Sequence, residues 1–193
     1  MAAGKGTRMK SSMPKVLHRL GGRALLQHVI DTAGQLQARR VVVITGHGAE
    51  QVEATLVHND HVQCVRQMPQ LGTGHAMQQA VPVLADDGVT LVLSGDVPLI
   101  QADTLSALLT MCDGQHLALL TLQTTTPTGY GRIVRNAQSQ VQAMVEEKDA
   151  SPEQRQIQEI YSGIMAVPTR LLRGGWRVWT TATPNKSTTS PTW

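Results

Sequence analysis

The sequence predicts an α/β fold with a mostly parallel, doubly wound sheet and helices on both faces, and three observations lead there. Val41-Val42-Val43-Ile44-Thr45 is a continuous β-branched run, the pattern of a strand covered on both faces, and it closes on Gly46-His47-Gly48. Strand-like runs then alternate with helical patterns as far as Leu122. The segments after the strands are polar or glycine-rich, and in such sheets ligands sit beyond the C-terminal ends of the strands.

In chain order, Met1–Lys15 reads MAAGKGTRMKSSMPK, a basic loop with two glycines. Gly4 and Gly6 lack a Cβ, so backbone N–H groups can close on a phosphate. Lys5, Arg8 and Lys15 can add charge-assisted hydrogen bonds, and Pro14 fixes the approach of Lys15. The P-loop pattern GxxxxGK(S/T) is absent, and GxGxxG fails because Met9 stands where its third glycine belongs. An exposed basic terminus is the alternative reading of this stretch.

Residues 17–36 place Leu20, Leu25, Leu26, Val29, Ile30 and Ala33 at mostly helical spacing, which predicts one amphipathic helix. After the 41–45 strand the pattern predicts a helix over 49–57, a strand over 62–66 and a helix over 73–84. A strand over 89–93, a helix over 104–111 and a strand over 117–122 come next. Arg132–Arg135 and Val141–Val145, around Asn136-Ala137-Gln138-Ser139, predict an antiparallel extension. Ser151-Pro152-Glu153 supplies the N-cap, first residue and first-turn acid of a short helix.

Composition narrows the function. Hydrophobic content of 41% suits one buried core, and no span reaches transmembrane length. The opening residues lack the apolar core of a signal peptide, so a cytoplasmic protein is expected. Cys64 and Cys112 stand far apart without a CxxC motif and read as reduced thiols, and the seven histidines form no zinc set. A net charge of +3 with 3% aromatic residues gives no stacking platform for nucleic acid and favours a small anionic ligand.

Three stretches carry candidate chemistry. Ser94-Gly95-Asp96 puts a carboxylate at the tip of an apolar strand, and a hard divalent ion commonly binds one or two carboxylates plus phosphate oxygens. Asp96 is therefore the candidate magnesium ligand, with a turn-capping aspartate as the alternative. In Gln67–Ala76, glutamine amides can meet a base edge, while Gly72 and Thr73 open a helix that can receive an anion; a plain helix-start turn is the alternative. Thr128–Ile133 and Val145–Asp149 are polar edges of the extension, where Glu146 can accept from sugar hydroxyls and the Gly131 N–H can donate, or where a charged strand end is merely solvated.

With these pieces in place the chain resembles the sugar-phosphate nucleotidyltransferases. Within them it is similar to the N-acetylglucosamine-1-phosphate uridyltransferase domains of bacterial bifunctional enzymes that make UDP-N-acetylglucosamine. AAGKGTRM, PKVLH, QLGTGHA, GDVPL, PTGYGRI and VEEKDA occur in family order, from Met1 to about Leu172. The resemblance implies a Rossmann-like nucleotidyltransferase fold in which Ala2, Ala3, Gly4, Lys15, Gln67, Gly72, Thr73, Ser94, Gly95 and Asp96 hold the nucleotide. Arg8 and Lys15 would stabilise the transition state, Asp96 would hold magnesium, and Gly131, Glu146 and residue 161 would bind the amino sugar. The implied reaction joins UTP and N-acetylglucosamine-1-phosphate and releases pyrophosphate, without a covalent nucleophile. Rivals are another nucleotidyltransferase, acting on a different nucleotide or hexose phosphate, and a nucleotide-binding chain without turnover.

The resemblance also marks three departures. The family carries a hydrophobic strand just before AAGKGTRM, where Met1 stands here, so a first central strand is expected to be missing and its neighbours to keep open edges. Tyr161-Ser162-Gly163 replaces the family's Asn-Thr-Gly, which predicts weakened sugar binding. Residues 173–193 hold all three tryptophans and no hydrophobic period, and shifting the frame of Thr180–Trp193 permits a string close to the family's own. An aberrant, disordered tail after an incomplete domain over 1–172 is therefore expected, with the family's C-terminal trimerising part absent and the chain a monomer.

Overall fold

The computed structural model describes residues 1–4, 6, 9–85 and 87–173, so Arg8 and the 174–193 tail lie outside the described residues. Strand β1 (Arg19–Leu20) and strand β2 (Arg23–Ala24) form a small antiparallel hairpin ahead of helix α1 (Leu25–Gln35). The helix predicted over 17–36 is thus shorter than its apolar pattern. Gly21 and Gly22 have φ of 57° and 83°, a turn that closes a hairpin and ends any helix running through it. Within α1 the buried residues Leu26, Val29, Ile30 and Ala33 follow the predicted stripe.

Strand β3 (Val41–Thr45) pairs in parallel with strand β4 (Val62–Arg66), Val41 opposite Val62 and Thr45 opposite Arg66, and helix α2 (Ala49–Ala54) makes the crossover. Neighbouring residues of β3 serve opposite faces. Val43 packs with Leu26, Ile30 and Val52 of α1 and α2. Ile44 packs with Ala76, Met77 and Ala80 of helix α3 (Thr73–Ala80). That double burial is why β3 is apolar throughout. Helix α3 stops short of the predicted Leu84, because Pro82 offers no N–H to an α-helical ladder and Val81–Val83 forms a 3₁₀ turn.

Met1–Ala2 joins the parallel part of the sheet to strand β5 (Val89–Val92). Ala2 bridges Thr45 in parallel and its N–H donates to Ile44 O at 2.8 Å. On the other side the Met1 amino group donates to Leu93 O at 2.6 Å, and the Gly95 N–H donates to Met1 O at 2.8 Å. Between β3 and β5, behind Met1, lies an apolar slot of about 500 Å³ lined by Ile30, Val41, Ile44, Met77, Val89 and Leu93 among others.

The other half of the molecule is antiparallel. Strand β6 (Ala118–Gln123) follows helix α4 (Ala102–Thr110), strand β7 (Arg132–Arg135) and strand β8 (Val141–Val145) form the predicted hairpin, and helix α5 (Pro152–Arg155) leads into strand β9 (Glu159–Pro168). Ser151 caps α5 as predicted, its hydroxyl accepting from Gln154 N–H at 3.2 Å while Gln154 Oε1 accepts from Ser151 N–H at 2.9 Å. No strand is expected from the pattern over 159–168, yet β9 lies centrally: it pairs antiparallel with β5, β6 and, at Ile160, with β7. Its apolar pattern is broken where two residues, Ser162 and Gly163, bulge out between the Leu120–Ile164 and Thr121–Tyr161 pairs. Residues 169–173 turn helical, and Leu172 is buried with Val92 and Val167.

Cys64 and Cys112 are free thiols, as expected, and burial pushes both up. Among the described residues no helix is long and apolar enough to cross a membrane.

Candidate active site

A cleft of about 670 Å³ opens at the C-terminal ends of β4 and β5. The glycine-containing N-terminal segment forms one wall, since Ala2, Ala3, Gly4 and Gly6 line it together with Lys15. Gly6 turns back so closely that a Cβ there would stand 2.9 Å from Lys15 Cβ. Lys15 begins the 3₁₀ turn Lys15–Leu17 directly after Pro14, whose carbonyl accepts from Leu17 N–H at 2.9 Å. Its ammonium reaches across the cleft and pairs with the Asp96 carboxylate. The two side chains remain about one-third open to solvent, so an incoming phosphate or cation can reach both.

The opposite wall comes from the loop after β4. Gln67 is 3% exposed, and its N–H donates to Thr45 O at 2.8 Å. Its Nε2 donates to Gly72 O at 2.8 Å and lies 3.3 Å from His75 Nδ1. The carboxamide is therefore fixed, and the acceptor Oε1 is the part that a base edge can use. Beneath the loop, Thr45 Oγ1 donates to Glu53 Oε1 at 2.8 Å, while Arg66 grips Glu53 through Nε at 2.9 Å and Nη2 at 2.6 Å. The Arg66 hydrogen bond holds the Glu53 carboxyl below its usual range, so this brace is charged at neutral pH.

The structure gathers Ala2, Ala3, Gly4, Lys15, Gln67, Gly72, Thr73, Ser94 and Asp96 around one cleft. Gly95 sits behind it: its N–H is used by Met1 O, and a Cβ would stand 3.0 Å from that oxygen, so glycine serves backbone packing there. Gln70 and Met9 also line the cleft, although neither was among the predicted site residues. Gln70 carried a signal, its position beside Gln67 in the same loop, whereas a methionine in a basic loop carries none. Burial pushes the Met1 amino group down to about 6, against the pull of Asp96.

The predicted sugar-side residues lie on the antiparallel half. The Tyr161 N–H donates to Gly131 O at 3.0 Å, and Glu146 stands exposed just beyond β8. Burial pushes the Tyr161 phenol up, so it stays protonated. The β9 bulge links the two halves. Gly163 has φ of 84°, and a Cβ there would stand 3.0 Å from Ser94 Oγ, so the strand carrying Tyr161 touches the cleft at Ser94. Bulges of this kind re-aim a strand next to a site.

A family model described as "MobA-like NTP transferase domain" matches residues 1–163 of the chain. The chain belongs to the MobA-like NTP transferase family. Curated relatives of the chain include two proteins named Bifunctional protein GlmU. That of Polaromonas naphthalenivorans (strain CJ2) is 69% identical over 182 residues, which cover 90% of this chain and 38% of the relative. That of Polaromonas sp. (strain JS666 / ATCC BAA-500) is 66% identical over 191 residues, covering 90% of this chain and 40% of the relative. The chain thus spans well under half the length of those proteins. Its fold is shared with an apo UDP-glucose pyrophosphorylase, at a TM-score of 0.70 and 16% identity over 96% of this chain and 80% of that one. It is shared also with a putative glucose-1-phosphate thymidylyltransferase from Bacillus anthracis, at a TM-score of 0.73 and 14% identity over 95% and 74%. The Rossmann-like nucleotidyltransferase fold expected from the motifs is therefore the fold of the chain.

Proposed function

We propose that the chain transfers a uridylyl group from UTP to N-acetylglucosamine-1-phosphate, giving UDP-N-acetylglucosamine and pyrophosphate. The observation that carries this reading is the Lys15–Asp96 pair, set across a cleft whose far wall is the fixed Gln67 amide. A cation already rests on the carboxylate, and the donor set of one carboxylate in a phosphate-sized cleft fits a hard divalent ion completed by phosphate oxygens. Magnesium held there by Asp96 would neutralise charge on the phosphates.

The chain's own groups do the rest by positioning and electrostatics. Lys15 exchanges its partner, leaving Asp96 for a phosphate oxygen as the nucleotide enters, and so meets the charge that grows in the transition state. The backbone from Ala2 to Gly4 closes on the nucleotide, with Gly72 and Thr73 opposite. Gln67 Oε1 accepts from the uracil N3–H; cytosine presents an acceptor at that atom, so the fixed amide favours uridine. Arg8, which lies outside the described residues, is assigned the second transition-state charge. A phosphate oxygen of the sugar phosphate attacks the α-phosphorus of UTP, a new P–O bond forms, and the bond to the bridging oxygen breaks with its electron pair leaving on pyrophosphate. Gly131, Glu146 and Tyr161 bound the sugar.

High sequence identity to proteins named GlmU supports this choice of substrates. Pyrophosphate release measured with UTP, CTP and dTTP against N-acetylglucosamine-1-phosphate and glucose-1-phosphate tests it. Magnesium-dependent release greatest for UTP with N-acetylglucosamine-1-phosphate is expected. Greatest release with another pair would replace the substrates, and UTP binding by calorimetry without turnover would leave only a nucleotide-binding role.

A further inference from the structure

The residues assigned to the sugar side converge on an ion pair, between a buried arginine and a partly exposed glutamate, that their motifs did not single out. Arg132 is 1% exposed, although it opens a short strand. It is also the position where β7 meets both neighbours, facing Val145 of β8 and Ile160 of β9. Its Nη2 donates to Glu147 Oε2 at 2.6 Å and approaches Arg155 O at 3.5 Å, and its Nη1 donates to Tyr130 O. The same Glu147 oxygen accepts from Gly129 N–H at 3.1 Å. One guanidinium and one carboxylate thereby tie the backbone of the 128–131 loop to the end of β8 and to α5.

Stability alone does not account for the pair. A buried guanidinium is costly to desolvate, and Arg132 Nε has no hydrogen-bond partner among the described residues. What the pair does is fix its neighbours. Gly131 precedes Arg132, Glu146 precedes Glu147, and the Tyr161 N–H donates to Gly131 O. Gly131 and Glu146 are thus each one covalent step from it, and Tyr161 is one hydrogen bond further, through Gly131.

We propose that Arg132 and Glu147 are positioning residues that set the sugar-phosphate half of the site, holding the Gly131 N–H and the Glu146 carboxylate in register with the nucleotide cleft. The proposal rests on the sugar reading above. It assigns the two adjacent acids different work: Glu147 is consumed by Arg132 and Gly129, and Glu146 stays free for the sugar. The Arg132 hydrogen bond, then that of Gly129, holds the Glu147 carboxyl below its usual range, which keeps the pair charged at neutral pH.

Glu147→Gln keeps the side chain's size and removes its charge, while Arg132→Lys keeps charge and loses the two-pronged grip. Each variant is saturated with a non-hydrolysable UTP analogue and titrated with N-acetylglucosamine-1-phosphate by calorimetry, and hydrogen exchange is followed at the Gly129 amide. In Glu147→Gln the Gly129 amide should exchange faster and sugar-phosphate affinity should fall roughly 10- to 100-fold, with affinity for the UTP analogue held within about twofold. Arg132→Lys should fall between wild type and Glu147→Gln; if it does not fold, Glu147→Gln alone decides. Unchanged sugar-phosphate affinity in Glu147→Gln, or an equal loss for the UTP analogue, overturns the positioning role. Wild-type protein that binds the UTP analogue but no sugar phosphate overturns the sugar reading itself.

Discussion

Around the cleft, the candidate groups sit on the N-terminal segment and on the loops that leave β4 and β5 at their C-terminal ends, and turns close by in sequence shape each of them. In the antiparallel part the candidate groups sit where β7, β8 and β9 meet, and each is held by partners on another strand. Lys15 depends on Pro14 beside it, and Gln67 on Gly72 five residues on. Gly131, by contrast, depends on Tyr161 and on the pair made by Arg132 and Glu147. Local motifs can build a phosphate loop, but a sugar-side wall needs a register set by the whole sheet.

The largest expected effect lies at the Lys15–Asp96 pair in the cleft. Lys15→Ala should lower kcat for pyrophosphate release on the order of 10²–10³-fold, because it removes a donor aimed at developing charge. Far-ultraviolet circular dichroism should stay unchanged, since the Lys15–Asp96 pair is partly open to solvent and contributes little to folding. A kcat within about threefold of wild type would remove Lys15 from the chemistry and weaken the division drawn here.

The two braces give a sharper comparison. Glu53→Gln loosens the support under Gln67 and should reduce UTP affinity on the order of tenfold, while leaving the sugar phosphate nearly untouched. Glu147→Gln should do the reverse. Equal effects of both variants on both ligands would mean that the halves respond as one body, and calorimetry on the pair of variants decides between these outcomes.

That division also explains what could be read from sequence. The β-branched run of β3, the stripe of α1 and the cap at Ser151 are local patterns, and the structure keeps them. The carboxylate at Asp96 and the amide at Gln67 stood out as candidates because a polar side chain at a strand end contrasts with an apolar strand, and the structure brings both to the cleft. Strand β9 was not legible, because Ser162 and Gly163 interrupt its alternation to reach Ser94, and that interruption has meaning only beside β6. The start of α1 was misread because Leu20 fits the helical stripe while Gly21-Gly22 breaks it, so the turn chemistry outweighed the period. Arg132 gave no signal, since nothing in RIVR tells a buried arginine from an edge one. The family's residues placed Gly131 and Glu146, and only the fold shows what holds them.

Acid should act on both halves together. The Glu53, Glu147 and Glu159 carboxyls are held below their ordinary value of 4.5 by hydrogen bonds from Arg66, Arg132 and Arg135 respectively. With folded values lower than unfolded ones, the unfolded chain takes up protons first as pH drops. Their contribution is therefore complete above about pH 4.5 and is lost as pH falls through the folded values. The midpoint of urea unfolding should stay level with respect to these groups from pH 7 to about pH 5 and decline below it. A midpoint that rises on acidification below that pH would contradict the direction assigned to all three groups.

The smallest expected effect tests the one predicted sugar contact whose residue type departs from the family pattern. Tyr161 pairs with Thr121 across β6 and gives its backbone N–H to Gly131, so its main-chain role survives any side chain. Its phenol is a single hydroxyl at the end of a rigid ring, whereas an asparagine amide offers a donor and an acceptor near the backbone. Tyr161→Asn should therefore lower KM for N-acetylglucosamine-1-phosphate by roughly two- to tenfold, the worth of one net hydrogen bond, with KM for UTP and kcat little changed. A shift in KM for UTP instead would show that the change travels through the Gly163 bulge to Ser94, making β9 a link between the halves rather than a wall of one of them. No shift in either constant would remove the Tyr161 side chain from the sugar site and leave its backbone N–H as its only role there.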